Sequence, residues 1–232
     1  MMLTARFYTI YDVQMSAATN LPDNSRGRSA SPEPGPSALV RVVIAISAIV
    51  LRIERLIIIL LMALLLGLIL LNVVTRYAGS SLYWVDESAV FSVVWLAFIG
   101  GSAMTRLRLD FAMTLLTDKL SPLWARRAKV AAGGCVVGFA VALAAMCVLW
   151  LDPIGIAQAG FDAKKLAAAS FNFVYTERTQ TLNWPTWVLY LVVPIFSATL
   201  FFHALANVLE DLRLAPAARF PGFKIGNSQG IN

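Results

Sequence analysis

The residues best suited to chemistry or binding lie in a short stretch between two strongly apolar segments. Residues 71–95 read LNVVTRYAGSSLYWVDESAVFSVVW and include Asn72, Arg76, Asp86 and Glu87. Groups of this kind at membrane depth could mark an ion or solute pathway, because an unpaired charge is costly inside a bilayer. They also suit a structural corner, since a cation stabilises the C-terminal end of one helix and anions stabilise the N-terminal end of the next.

The local sequence favours the structural corner. The residues AGSS supply a turn, and Asp86 is in a position to cap the following helix. Arg76 and Glu87 are expected to pair across that turn. The alternative, a site that contacts a transported substrate, stays open on the chemistry of the residues alone.

The elements that position this stretch are predicted to be membrane-spanning helices. The 232-residue chain is 59% hydrophobic and 14% charged, whereas a soluble domain carries about 25% charged residues. Segments of about 20 apolar residues can cross a bilayer core of ~30 Å. Four segments qualify, at residues 56–75, 88–105, 130–151 and 185–209, and an extended loop covers 152–184. The sequence therefore predicts an all-α integral membrane protein with four transmembrane helices.

The flanking segments differ in composition. Residues 1–37 contain RGRSASPEPGPS and are predicted to form a disordered tail. Residues 38–55 include a short apolar run with Arg41, which suits an N-terminal interfacial helix better than a span. The four-helix membrane domain then covers 56–212, and residues 213–232 form a C-terminal tail.

The distribution of positive charge predicts the orientation. Of the nineteen lysines and arginines, fifteen fall in the N-terminal region, in the loop between the second and third spans, and in the C-terminal tail. Positive charge marks the cytoplasmic side of a membrane. Both termini are therefore expected in the cytoplasm, and the first and third loops are expected to face outward. The basic side is interpreted as a topology signal that contacts anionic lipids, and no nucleic-acid partner is expected.

The predicted spans contain no Asp, Glu, Lys or Arg. His203 is their one titratable candidate and is interpreted as a packing residue, while Asn72 suits a hydrogen bond to a neighbouring helix. Pro194 is expected to kink the last span. The sequence shows no nucleophile with its base, no metal-ligand cluster and no phosphate-binding loop. It therefore predicts no enzyme activity, no catalytic residue, no metal and no cofactor.

Two helix faces look built for packing. Gly134, Gly138 and Ala142 lie four residues apart, a pattern of small residues that lets membrane helices approach closely. A helical projection of the second span places a stripe of residues on one side, which predicts burial against protein. That stripe consists of Glu87, Phe91, Val94, Trp95, Phe98, Gly101 and Ser102.

The order of these motifs resembles the small membrane subunit of TRAP (tripartite ATP-independent periplasmic) transporters. The family pattern N-V-x-x-R-Y, W-x-[DE]-E and W-x4-G falls on Asn72, Val73, Arg76, Tyr77, Trp84, Asp86, Glu87, Trp95 and Gly100. Arg106 stands where the family usually has a histidine, and Asp110 keeps the acid that follows it. The resemblance covers about residues 52 to 212, and the loop at 152–184 is longer than in common members.

The resemblance implies a scaffold in a larger complex. In such systems a large membrane subunit carries the substrate and sodium sites, and a periplasmic binding protein delivers an organic acid or related solute. The small subunit is expected to brace the large one. The motif residues together with Phe91 and Gly101 are then candidates for the partner interface, and Gly134, Gly138 and Ala142 for helix packing. Membrane lipids are further expected partners.

Two other classes stay open. A stand-alone four-helix transporter or channel would work without a large partner, and a membrane thiol or quinone enzyme would need a CxxC pair or clustered histidines, which the chain lacks. The loop segment GFDAKKLAAASFNFVYTERTQ mixes apolar and charged residues and could form an amphipathic helix at the outer surface. It could touch the binding protein or cap the subunit, and the cap is favoured.

Overall fold

The computed structural model describes residues 37–109, 120–216 and 218. Four helical stretches in this part of the chain are long and apolar enough to cross a membrane, which confirms the predicted all-α membrane fold. The helices are α1 (Ala38–Tyr77), α2 (Tyr83–Leu107), α3 (Pro122–Leu151), α4 (Pro153–Gln158), α5 (Ala163–Ser170), α6 (Thr186–Tyr190) and α7 (Val192–Asp211). The predicted tail at 1–37, except for Ser37, lies outside the described residues, as do Asp110 and most of the C-terminal tail.

The first helix is much longer than the predicted span. Residues 38–55 are helical as expected, but they continue without a break into the apolar stretch from Leu56 onward. Ser37 accepts a hydrogen bond from the amide of Val40 at its start. A helix of 40 residues is about 60 Å long, twice the thickness of a bilayer core of ~30 Å. Part of α1 must therefore extend beyond the hydrocarbon, and its position at the membrane surface stays a prediction.

The fourth span is built from two helices, α6 and α7, that meet at Leu191. The break has a cause in the sequence, because Pro194 lacks an amide hydrogen and its ring clashes with the carbonyl four residues earlier, at Tyr190. Helix α7 then runs unbroken to Asp211 and packs against α1, α2 and α3. The expected disturbance at Pro194 is confirmed, and α7 is the helix that joins the other three.

The four spans share two ends, which we call the loop-three end and the terminal end. The loop-three end carries the turn between α1 and α2 and the segment 152–185, which we call loop three. The terminal end carries the last residues of α2 and α7 and the first turns of α3. Buried apolar side chains are few along the described helices, and several of them are small, including Ala103, Ala140, Ala204 and Ala206. Many large apolar side chains of α1 and α3 are instead exposed on the surface of the chain.

Candidate functional site

The opening stretch forms a polar corner at the loop-three end. Arg76 donates through Nη2 to Asp86 Oδ2 at 3.2 Å and through Nε to Asn72 Oδ1 at 3.2 Å. The Asn72 amide donates to Asp86 Oδ1, which closes a triangle across the turn. Gly79 supplies the turn with its left-handed backbone, at φ 72°. The three side chains bind one another, and the Arg76–Asp86 pair is largely exposed.

Two expectations for this corner were wrong. Arg76 pairs with Asp86 rather than with Glu87. Asp86 does not cap α2, because the helix already begins at Tyr83, with Leu82 in the cap position and no side-chain cap. Asp86 lies in the first turn, where a carboxylate still suits the helix dipole. Asp86 was therefore assigned to the correct end of the helix, but the cap position is four residues earlier, at Leu82.

Glu87 holds loop three against α2. Its Oε1 accepts from the backbone amide of Gln180 at 2.9 Å. Its Oε2 accepts from the amides of Thr181 and Leu182 at 2.8 and 3.0 Å, and also from the Thr181 hydroxyl. Hydrogen bonds to an ionised carboxylate are about twice as strong as those between neutral groups. Glu87 is thus a tether within the chain. Its partners in loop three could not be predicted from the sequence.

Part of the α2 stripe packs against protein, as predicted, and that protein is α6 and α7, whereas Val94 of the stripe is exposed. Trp95 donates through Nε1 to the carbonyl of Leu189 at 3.0 Å. Phe98 meets Phe196 edge to face, with ring centroids 5.2 Å apart. Ser102 donates to the Thr199 hydroxyl at 2.8 Å.

Residues of the motif and of the stripe that lie outside this contact have other surroundings. Phe91, Gly100 and Gly101 are half-buried, and a Cβ added at Gly101 would come within 3.9 Å of the Phe196 ring. Val94, Tyr77 and Trp84 are exposed. The motif residues are therefore divided between contacts inside the chain and surface that is open to a partner.

The small-residue run of α3 faces away from the rest of the chain. Gly134, Gly138 and Ala142 are exposed, and a Cβ added to either glycine would meet nothing within 4 Å. The face of α3 that packs on α7 is the neighbouring one, which carries Gly133 and the buried Ala140. A Cβ added at Gly133 would lie only 2.6 Å from Val208 Cγ2. Gly133 was missed, although it and Ala140 lie seven residues apart in the sequence.

A buried polar cluster joins α1 to α7. His203 is completely buried, and its Nδ1 lies 2.8 Å from Ser47 Oγ while its Nε2 lies 3.0 Å from Glu54 Oε2. Ser47 and Glu54 are seven residues apart, two turns of one helix face, and both are buried. Because both ring nitrogens are engaged, the imidazole orientation is fixed. His203 does pack, as expected, but through two polar partners, Ser47 and the ionisable Glu54, that sequence reasoning missed.

A second buried cluster joins α2 to α7 at the terminal end. Arg106 donates through Nη2 to Glu210 Oε1 at 2.6 Å, and both side chains are buried. Its Nη1 donates to Asn207 Oδ1. Arg108 pairs with Asp211 at 2.7 Å and with Glu210 at 3.4 Å. The predicted spans ended one residue before Arg106 and one before Glu210, so the apparent lack of charges came from where those boundaries were drawn.

An apolar cavity of about 350 Å³ opens at the loop-three end between α1, α2 and loop three. Its walls carry no ionisable side chain, and the only polar side-chain groups are those of two serines and three tryptophans. It therefore suits an apolar group and offers no ligand for an ion. The lining residues are Leu61, Leu64, Leu68, Trp84, Ser88, Phe91, Ser92, Trp95, Leu182, Trp184 and Leu189.

Loop three also closes the C-terminal end of α3. The Tyr175 hydroxyl donates to the carbonyl of Leu151 at 2.6 Å, and Asn172 donates to the carbonyl of Trp150 at 2.9 Å. Burial and the nearby charge of Asp152 raise the pKa of the Tyr175 hydroxyl, so it stays a donor at neutral pH. These contacts satisfy carbonyls that the end of a helix leaves without a partner. The favoured reading of loop three as a cap agrees with them.

The polar corner and the two buried polar clusters join helices to one another. They do not converge on an open chamber. Among residues 37–109 and 120–216, no group of three or more His, Cys, Asp or Glu side chains is placed to hold a metal ion. The pairs with buried charge, Glu54–His203 and Arg106–Glu210, have their partners in the chain itself. The arrangement can rigidly connect four membrane helices.

A comparison with known protein families adds a match over most of the membrane domain. The family model described as "Tripartite ATP-independent periplasmic transporters, DctQ component" matches residues 65–214. The match covers the last third of α1 and every described element after it, including the whole motif region. No individual curated protein matches the chain.

Proposed function

The chain belongs to the DctQ family of TRAP transporter small components, and from this premise we propose that it scaffolds the large membrane subunit of one such transporter. The family implies a tripartite complex with a large membrane subunit and a binding protein. The proposed role is to hold the large subunit in the inner membrane during sodium-driven, binding-protein-dependent uptake. An organic acid or a related solute is the proposed cargo.

The observation that carries a scaffold role is the way the buried charges are used. The pairs Glu54–His203 and Arg106–Glu210 each connect α7 to a different helix, at the α1 and α2 contacts respectively. A transport site needs polar groups that can exchange their partners for a solute. Pairs whose two members are buried inside one chain instead fix the relative positions of its helices. This supports a rigid support more than a moving carrier.

The surface supports a partner on α3. Its exposed face carries Gly134, Gly138 and Ala142 in a row, and small residues in such a row let another membrane helix approach closely. We propose this row as a contact with the large subunit. Trp95 and Glu87 are poorer interface candidates than the sequence suggested, because their polar atoms are engaged by Leu189 and by loop three.

Co-purification tests the scaffold proposal. The chain is tagged, expressed with the large-subunit gene from the same operon, and extracted in mild detergent. We expect a stoichiometric complex that is lost in the variant Gly134→Leu/Gly138→Leu, whose monomeric fold stays intact because, among the described residues, a Cβ added at either position meets no neighbour within 4 Å. Gly67→Leu is the matched control, since this glycine of α1 is also exposed and has open space around it.

The outcomes separate the candidate functions. Loss of the complex in the α3 variant alone supports the proposed contact, and loss in both variants would assign the effect to helix chemistry in general. A chain that purifies alone and moves solute in liposomes would establish the stand-alone transporter instead. Uptake by the complete reconstituted system that continues when sodium is replaced by potassium would contradict the proposed sodium coupling.

A further inference from the structure

Loop three contains a small folded unit that carries its own buried residues. Helices α4 and α5 contact each other, and Ile156, Leu166 and Ala167 are buried. Asp162 caps α5 by accepting from the amides of Lys164 and Lys165 at 3.0 and 3.3 Å. The unit therefore has a defined fold, and this fold sets the direction of the side chains that point away from it.

Several large apolar side chains point away from this unit. Phe161 and Phe171 are 79% and 81% exposed, and Ile154 and Phe173 are also exposed. Phe161 and Phe171 both adopt the left-handed backbone region, at φ 62° and 57°. That region is uncommon for bulky residues, and the position after a helix such as α5 usually carries glycine. The backbone conformation at these two positions is unfavourable, yet it presents the aromatic rings outward. This indicates that the surroundings of the rings stabilise them.

These rings continue the apolar outer surface of α3. Phe171 and Phe173 line one cleft together with Leu149, Trp150 and Tyr190. Leu149 is 80% exposed at the end of a membrane-spanning helix, and Asn172 is fixed to the carbonyl of Trp150. Phe171 and Phe173 are thus level with the end of the span. Lys164 and Lys165 are exposed on α5 and carry positive charge in the same unit.

We propose that the α4–α5 unit of loop three is a membrane-surface anchor. Phe161, Phe171 and Phe173 insert into the boundary between head groups and acyl chains, and Lys164 and Lys165 reach the lipid phosphates. Aromatic residues concentrate at this depth in membrane proteins, and lysines beside them bind anionic lipid. The partner of this surface is the lipid bilayer. The inference depends on α3 crossing the membrane and does not depend on the transported solute or the large subunit.

Spin-label accessibility tests the anchor. A cysteine is placed at position 161, 171 or 173 in a Cys135→Ala background, and the signal carried by the buried Cys147 is subtracted. The labelled chain, alone or in its complex, is reconstituted in bilayers of phosphatidylethanolamine and phosphatidylglycerol. We expect the ratio of oxygen to nickel-chelate accessibility to be severalfold higher than at two exposed polar controls, Gln158 and Glu177, which matches a depth of ~5–10 Å.

Each result decides the proposal. A high ratio at 161 and 171 supports it, and the label at 173 provides the same test if a substitution in the left-handed positions prevents folding. Nickel-chelate accessibility equal to that of the controls overturns it. Labels that are open to the chelate in bilayers and become protected only when the binding protein is added would assign the surface to that protein instead. Failure of the chain to co-purify with a large subunit leaves this readout unchanged.

Discussion

At the scale of single residues, two neighbouring acids have unrelated partners. Asp86 faces α1 and closes the corner with Arg76, whereas Glu87 accepts from three backbone amides of loop three. Consecutive helical residues differ by about 100° in direction, so adjacent acids must face different surroundings. Sequence reasoning could identify both acids as polar exceptions near a helix start. It could not choose between them for Arg76, because that choice depends on the rotation of α2 relative to α1.

The Glu87 tether predicts a local effect. Glu87→Ala removes the acceptor for the amides of residues 180–182, so we expect their hydrogen exchange to become faster by about tenfold or more, since bonds to a charged acceptor are among the stronger ones. The measurement is amide exchange by mass spectrometry on peptides that cover loop three. Exchange in α7 should stay unchanged. The control Glu177→Gln alters an exposed acid in the same loop, and an equal effect there would contradict a specific tether.

The buried pair predicts a larger effect on stability. His203→Leu leaves the Glu54 carboxylate buried without its imidazole, and breaking one side of a buried pair costs about 3–5 kcal/mol. The double variant Glu54→Leu/His203→Leu should recover most of that loss, because two apolar side chains of similar size replace a pair whose desolvation is costly. Denaturant unfolding of the purified chain in detergent measures both.

A matched comparison uses the exposed pair. Arg76→Gln removes the contact with Asp86, and a solvent-exposed ion pair contributes only about 0–1 kcal/mol. If His203→Leu were no more destabilising than Arg76→Gln, the buried cluster would not be a structural connection between α1 and α7.

At the scale of elements, the existence of the spans was predictable and their ends were not. Hydropathy ends a span at the first charge, which placed boundaries just before Arg106 and Glu210. The structure continues both helices through these residues, because each charge is the other's partner at 2.6 Å. A partner 104 residues away in the sequence leaves no local signal. The same reason explains why residues 38–55 and 56–75 were predicted as two elements but fold as one helix, α1.

Two adjacent glycines of α3 predict opposite outcomes. Gly133→Ala places a methyl group against Val208, 2.6 Å from Cγ2, so the α3–α7 contact must open or Val208 must change rotamer. Overpacking of this kind costs about 1–3 kcal/mol. Gly134→Ala meets open space, and replacing glycine by alanine within a helix is favourable by up to about 1 kcal/mol. Thermal unfolding of the isolated chain measures both, and equal stabilities would contradict the described rotation of α3.

At the scale of the whole molecule, the helices divide into connecting and presenting surfaces. Helix α7 contacts the other three spans and carries the buried residues His203 and Glu210 and the half-buried Asn207. Helices α1 and α3 expose most of their length. The motif order predicted the family and the α2 stripe predicted a protein contact. Which contacts are internal could not be predicted, because a residue that packs on its own chain and one that packs on a partner have the same side-chain chemistry.

The positive-inside rule predicts one orientation of the four spans in the membrane. Fifteen of the nineteen lysines and arginines lie in segments on the terminal side of the spans, and loop three and the first turn carry four. Single cysteines at Glu177 and Arg213, again in the Cys135→Ala background, are treated with a membrane-impermeant maleimide in cells whose outer membrane is open. We expect reaction at 177 in intact cells and at 213 only after the inner membrane is permeabilised, since both are exposed. The reverse pattern would place loop three in the cytoplasm, out of reach of a periplasmic binding protein, and would require a different assembly from the one proposed.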